Sequence, residues 1–509
     1  MCPAPIHNVG STHPKSVPEL CPRVAETHTG MVFLVGDKAY KVKKPIVTDF
    51  LDFSSVERRE HACDREVTLN RRLAPDSYLG VAHFTAPGGG AAEPVIVMRR
   101  HSDECRLATK VLRAESVEQE LSAVADLLVR FHATALRGGD VDAQAQVDAI
   151  AGRWQENLTE LAKFAGGIVP GLSPDVVVGE IDRLATRYIA GRARLFSSRI
   201  GDRKIVDGHA DLLADDIFCL AGGPALLDCL EFDDRLRYVD VIDDAAFLAM
   251  DLEFLGRPDL GEYFLGQYRK LSADAAGEGP PTSLHDFYIA YRAVVRAKVD
   301  CISHTQGDIA AASRAQRHLE IAHGHLRVGA VRLILVGGGP GTGKTTLARL
   351  LAERIGAHVI STDDVRAEMV AKGEIAGVAG VFGKGLYTDE KVDAVYDAVL
   401  RAAHLSLSSG HSVILDGTWR DARHRDHARS LAVEASATMI EFACTARLAT
   451  AVDRIRSRTE TTSQATPEIA AALAAEHLNE PWAHPHRVDM TRPVAESVAE
   501  AQQICLINC

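Results

Sequence analysis

Gly338-Gly339-Pro340-Gly341-Thr342-Gly343-Lys344-Thr345 is the stretch of this chain whose reading decides its C-terminal fold. An apolar run, Val331-Arg332-Leu333-Ile334-Leu335-Val336, precedes it, and a helix-forming run, Leu347-Ala348-Arg349-Leu350-Leu351-Ala352-Glu353-Arg354, follows. Strand, glycine loop and helix in that order give the G-x-x-x-x-G-K-[ST] spacing a physical meaning. Glycines leave backbone N–H groups free to converge on phosphate oxygens, and the first helical turn adds unpaired donors at its positive end. The stretch from Gly338 through Thr346 is therefore expected to cradle ATP. Lys344 would reach the β- and γ-phosphates, and Thr345 would ligate Mg²⁺.

Further strands are expected at 357–361, 411–416 and 438–444, alternating with helices, which predicts an α/β domain with a parallel sheet covered on both faces. Val359-Ile360-Ser361-Thr362-Asp363-Asp364-Val365-Arg366 closes the first of these strands. One of Asp363 and Asp364 is expected to cap the next helix, with Asp363 as the functional one. Ser412-Val413-Ile414-Leu415-Asp416-Gly417-Thr418 reads as a buried strand with an acidic end, so Asp416 is expected to help position Mg²⁺. Arg447, Arg454, Arg456 and Arg458 fall on an expected helix. Arg454 and Arg458 are four apart and share a face, and Thr461-Thr462-Ser463 comes next.

The chain has 509 residues, too many for one ordinary core, so two or three domains are expected. Hydrophobic residues make up 46% and charged residues 25%, the balance of a soluble globular protein. A formal net charge of −12 argues against a general nucleic-acid or membrane-surface binder. The N-terminus shows no basic-then-apolar leader, and no apolar run approaches the ~20 residues of a membrane span. The ten cysteines are scattered without a C-x-x-C pair, which is the pattern of reduced thiols. A cytoplasmic location follows. His424 with His427, and His484 with His486, are expected on a solvated surface.

The part upstream of the loop is organised differently. Residues 1–24 read as a loose arm. Met31-Val32-Phe33-Leu34-Val35, the Gly36-Asp37 turn and Lys38-Ala39-Tyr40-Lys41-Val42-Lys43 read as a hairpin. A helix is expected at about 54–73, a strand at Pro94-Val95-Ile96-Val97-Met98, helices over 115–200 and 240–325, and β structure with loops over 205–232. A small β-rich lobe and a larger helical lobe thus make one domain over 25–325, with the P-loop domain over 326–509.

Within that first domain, Asp207-Gly208-His209-Ala210-Asp211-Leu212-Leu213-Ala214-Asp215-Asp216 carries His-x-Asp with a second metal-ligand type five residues on. That is the catalytic-loop spacing of kinases. Twelve residues later, Leu226-Leu227-Asp228 ends an apolar strand. These residues resemble the aminoglycoside phosphotransferase family, whose loop reads H-G-D-x-x-x-x-N and whose later strand ends in I-D. The resemblance implies a two-lobed, protein-kinase-like fold with a second ATP site. Asp211 would orient the acceptor hydroxyl and take its proton. Asp228 would hold Mg²⁺, with Asp216 standing in place of the family's Asn. Lys41 would grip the phosphates with Glu66 as its ion-pair partner, Lys43 on the same strand face being the alternative. Met98 would meet the adenine, and His209 would be a scaffold residue. The one-glycine turn Thr27-His28-Thr29-Gly30 would cover the nucleotide.

The S-T-D-x-x-R pattern in turn resembles small P-loop kinases and the polynucleotide-kinase and zeta-toxin group. There Asp363 and Arg366 would face an acceptor, and Arg454 and Arg458 would close on the phosphates. The whole order resembles bifunctional proteins of the aminoglycoside phosphotransferase/AAA family ATPase type. It implies an ATP-dependent phosphotransferase or ATPase acting on an unidentified small-molecule hydroxyl, with no membrane partner and an open oligomeric state. Its alternatives are an ATP-sensing regulator with a degenerate kinase-like domain, and a nucleotide, polynucleotide or zeta-toxin-like kinase.

Overall fold

The computed structural model describes residues 23–26, 30–47, 52–85, 88–89, 92–168, 174–272, 279–378, 384–457, 466–467, 470–471 and 482–508. Residues 1–22 of the expected arm, 27–29 of the expected covering turn, Arg458 and 461–463 lie outside them. The chain forms two compact units. The first takes the described residues within 1–135, 208–237 and 255–271, and the second those within 136–207, 238–254 and 272–508.

The first unit is built on a five-stranded antiparallel sheet: β1 (Arg23–Glu26), β2 (Gly30–Val35), β3 (Lys38–Lys43), β4 (Tyr78–Phe84) and β5 (Glu93–Arg99), in spatial order β1-β2-β3-β5-β4. The hairpin and β5 agree with the sequence reading, whereas β1 and β4 were not expected. Burial along β3 alternates, with Ala39, Lys41 and Lys43 inward. The helix Val56–Asn70 starts at Ser55, whose hydroxyl accepts from the Arg58 N–H, and lies against β4 and β5. Its buried residues Arg59, Ala62, Cys63, Glu66, Val67 and Asn70 fall at three- and four-residue spacing, so one face turns to the sheet. Burying Val67 alone is worth ~2 kcal/mol. That same face carries Glu66 inward.

Four short strands, β6 (Ile205–Asp207), β7 (Ile217–Leu220), β8 (Gly223–Leu226) and β9 (Tyr238–Asp240), form two antiparallel ribbons, β7 with β8 in the first unit and β6 with β9 in the second.

The second unit holds a parallel sheet of β10 (Arg332–Gly337), β11 (His358–Ser361), β12 (Val413–Asp416), β13 (Thr438–Thr445) and β14 (His486–Asp489), ordered β11-β12-β10-β13-β14. Four of these match the expected strands, and β14 is additional. Ile334, Val336, Leu347, Leu351, Ile414, Phe442 and Val498 pack as its core. Strand order reverses at β10, so the crevice at its carboxyl end is where a ligand of such a sheet binds.

Helices from the middle of the chain share this unit. Arg192 is fully buried, and its guanidinium donates to the carbonyls of Leu407 and Ala435. Ser283 Oγ donates to the Gly410 carbonyl at 2.6 Å, and a Cβ on Gly191 would meet the Ala435 carbonyl oxygen at 2.3 Å. Residues 407–410 and 435–436 precede β12 and β13. The middle helices therefore seal the amino end of the parallel sheet, opposite the P-loop end.

Among the described residues no helix is long and apolar enough to cross a membrane. The seven described cysteines are free thiols. His424 departs from its expected solvated position. It is buried, stacked on Tyr396 with centroids 4.0 Å apart, and paired with Asp393 at 2.8 Å, because its helix turns that face inward.

Candidate functional site

The parallel register places Val336 beside Asp416, so β10 and β12 end together where the glycine loop begins. The Gly338 N–H donates to the Thr418 carbonyl at 3.3 Å, and the Gly417 N–H to the Val336 carbonyl at 3.3 Å, stitching the two loops together. Gly338 has φ +140° and Gly341 φ +76°. A Cβ at Gly341 would lie 2.4 Å from the Ala451 carbonyl oxygen, so the loop's path requires glycine there. Thr342 Oγ1 and Lys344 Nζ both donate to the Gly339 carbonyl, at 2.8 and 3.0 Å. The helix Lys344–Ile355 opens directly on the loop.

Thr345 Oγ1 donates to Asp416 Oδ2 at 2.7 Å. Burial pushes the Asp416 carboxyl up, against the pull of the Lys344 ammonium and the Thr345 hydroxyl. A hydroxyl and one carboxylate fit Mg²⁺, which takes few protein ligands and completes its octahedron with phosphate oxygens and water.

At the carboxyl end of β11, Asp363 accepts from Arg366 Nη1 at 2.6 Å. The cap of the helix Thr362–Ala371 is Ser361, whose hydroxyl accepts from the Asp363 N–H, so neither expected aspartate caps it. The helix starts two residues earlier than a cap at Asp363 would give, and both carboxylates fall in its first turn. Arg366 is buried with its guanidinium 4.7 Å from the Tyr387 ring centre. Arg454 Nη2 donates to the Met490 carbonyl at 2.8 Å, which ties the helix Leu448–Arg456 to the end of β14.

Sequence reasoning missed two aromatic supports of the loop. Trp419 is fully buried at φ +50°, and its indole N–H donates to the Leu415 carbonyl at 3.0 Å. Trp482 packs where a Cβ on Gly337 would be, 2.2 Å from its ring. Trp419, three residues beyond Asp416, was legible as a bulky residue at a strand end. Nothing local signals Trp482.

The first unit holds a second constellation. Lys41 Nζ lies 2.9 Å from Glu66 and 2.5 Å from Asp228. Lys43 Nζ lies 2.5 Å from the other Glu66 oxygen and pairs with Glu231. Both lysines thus face inward, with Glu66 shared between them. Burial alone would push both ammonium groups down, but the surrounding carboxylates outweigh it and hold both up. Burial pushes the Asp228 carboxyl up, and the Lys41 ammonium overrides this to hold it below its ordinary range. Asp216 is pushed well up by desolvation and by the charges of Asp228 and Asp211.

Ala210 at φ +68° and Asp228 at φ +62° sit in strained backbone, as reactive loops do. Four hydrogen bonds hold them. The Asp228 N–H donates to the Tyr78 hydroxyl at 3.2 Å, and the Cys229 N–H to Asn70 Oδ1 at 2.8 Å. His209 bridges both loops, with Nδ1 facing the Asp211 N–H at 3.3 Å and Nε2 facing the Leu227 carbonyl at 3.1 Å. Those partners assign the neutral tautomer with its proton on Nε2. Met98 packs in the core with Ala39, Tyr78, Phe218 and Leu227. Glu231, which the sequence reading did not single out, completes the charge cluster.

A P-loop nucleotide-binding domain behind a kinase-like N-terminal region is the class these features define. The model of the AAA domain family AAA_33 matches residues 333–481. The chain is 55% identical over 481 residues to the uncharacterized protein Rv2004c of Mycobacterium tuberculosis, covering 94% of this chain and 95% of that one. It belongs to that protein's family. Among solved structures it is similar to a choline/ethanolamine kinase family protein from Mesorhizobium loti, at 14% identity and TM-score 0.36 over 60% of this chain and 94% of that one. It is also similar to a sugar kinase from Janibacter sp., at 17% identity and TM-score 0.27 over 34% of this chain and 93% of that one.

Proposed function

We propose that this protein is an ATP-dependent phosphotransferase whose P-loop site acts on the hydroxyl of a small molecule. The observation that carries the reading is the Thr345–Asp416 pair, closed at 2.7 Å beside Lys344, with Asp363 and Arg366 on the same carboxyl edge of the sheet. Mg-ATP would supply the γ-phosphoryl group. Backbone N–H groups of Gly339, Gly341, Gly343, Lys344 and Thr345 would bind its phosphates, and Lys344 would offset their charge. Thr345 and Asp416 would hold the metal. Asp363 would accept the acceptor's hydroxyl proton as the new oxygen–phosphorus bond forms and the bond to ADP breaks. Arg366, placed by its bond to Asp363, would orient the acceptor.

The N-terminal constellation supports a second nucleotide site, with Lys41 on the phosphates and Glu66 as its ion-pair partner, Asp228 and Asp216 on metal, and Asp211 as base. A sensing role for that site is favoured by one feature: Lys41 is ion-paired directly to Asp228 at 2.5 Å, so two groups needed by the nucleotide neutralise each other.

Transfer of label from ATP radiolabelled at its γ-phosphate, across a panel of sugars, polyols, aminoglycosides, nucleosides and oligonucleotide ends, tests this reading. Mg²⁺-dependent labelling of a small molecule, abolished by Lys344→Ala and strongly reduced by Asp363→Asn, is the expected outcome. Labelling that survives both substitutions at full rate would sink the assignment. Labelling of oligonucleotide ends alone would replace the acceptor class.

A further inference from the structure

Kinase-like sites need one lysine and one glutamate to hold a phosphate-gripping ammonium in place. Here the first unit buries a second pair beside it. Lys43 is 2% exposed, and its ammonium sits between Glu66 at 2.5 Å and Glu231, over the Phe53 ring at 5.4 Å. Glu66 is completely buried, with one oxygen towards Lys41 and the other towards Lys43.

We propose that Lys43 and Glu231 are positioning residues, acting through Glu66 to hold Lys41 ready for nucleotide phosphates. This rests on the reading of the first unit as a nucleotide site.

The coupling is electrostatic. Glu66 and Glu231 are close enough to repel, and without Lys43 three carboxylates, Glu66, Glu231 and Asp228, would share the site with the one ammonium of Lys41. One of them would then protonate or swing away, since an unpaired buried charge is expensive. Glu66 is the one whose loss matters, because it alone links Lys41 to the helix Val56–Asn70. Lys43 fixes the second oxygen of Glu66, and Glu231 fixes Lys43. Were Asp228 to hold a metal, Glu66 would remain as the partner of Lys41. A lone Lys–Glu pair can open when its helix shifts. A glutamate held at both oxygens resists such opening.

The test is calorimetric titration of the full chain with AMPPNP and Mg²⁺ in a Lys344→Ala background, which silences the P-loop. The expected result is one remaining site that Lys43→Met weakens about 10- to 100-fold, the range typical for partners that orient a ligand-binding group. Lys43→Met should add less than about twofold once Glu66→Gln is present, a non-additivity that a purely structural role does not produce. Melting is followed in parallel. Should the methionine variant fail to fold, Lys43→Gln, which keeps an N–H donor but no charge, carries the same comparison. Unchanged affinity in a folded Lys43 variant overturns the proposal alone. Full additivity with Glu66→Gln does the same. A Lys344→Ala protein that binds no nucleotide overturns both the proposal and the underlying site reading.

Discussion

The two constellations are built by opposite means. The P-loop is written in consecutive residues, and its proposed phosphate donors are backbone groups oriented by glycine and a helix start. The N-terminal site joins Lys41, Glu66, Asp211, Asp228 and Glu231 from distant parts of the chain, and it is made of side-chain charge. In the cradle, the Gly338 and Thr342 N–H groups already donate to the Thr418 and Gly339 carbonyls, and no buried charge has to be balanced. A cluster of buried ions has to be balanced at all times. The P-loop's key lysine is thus expected to matter for binding and little for stability. Residues of the charge cluster should matter for both.

The sharpest way to break that contrast is to remove the shared carboxylate. Glu66→Gln leaves Lys41 and Lys43 short of countercharge in a buried site, and we expect it to destabilise the first unit by about 3–5 kcal/mol. Denaturant melts of the full chain should show an earlier first transition, while Lys344→Ala melts like the wild type. Equal melts for all three proteins would remove the distinction.

Next in size is the seal beneath the parallel sheet. Arg192→Met strands the carbonyls of Leu407 and Ala435, at about 1–3 kcal/mol for each unsatisfied group. The second unit should melt earlier with the first unchanged, as read by hydrogen exchange resolved along the chain. If β12 and β13 keep their protection, the seal is dispensable.

The smallest effect is a pH dependence confined to the second unit. His325 lies 2.7 Å from both Asp286 and Glu253. Burial pushes its imidazole down, but bonds to those carboxylates outweigh this and raise it to about 9. A raised value means the stabilisation is complete below the unfolded value of ~6.5 and is lost as pH climbs through about 9. The second unit's melting temperature should therefore decline between those values. His325→Gln should flatten that decline and lower the melting temperature at the acidic end. An identical slope in the variant would exclude the histidine as its source.

Legibility in the sequence followed the same divide. Gly338 to Thr346, four strands of the parallel sheet and Asp416 were readable because their signals are local: period, glycine spacing and an acidic strand end. The choice between Lys41 and Lys43 was not, since strand period puts both on one face and only Glu66, Asp228 and Glu231 distinguish them. β14 was missed because His486-Arg487-Val488-Asp489 is a polar edge strand with one buried residue and no apolar run. β4 was missed because Leu79, His83 and Phe84 are exposed and its pairing slips near Gly80. Arg192 looked like any charged helix residue, because its partners lie more than two hundred positions away.

Nucleotide stoichiometry tests the central claim most directly. Calorimetric titration of the full chain with AMPPNP and Mg²⁺ should give two sites in the wild type, one in Lys344→Ala, and none when Asp228→Asn is added to it. A single site in the wild type that Lys344→Ala leaves intact would contradict the account.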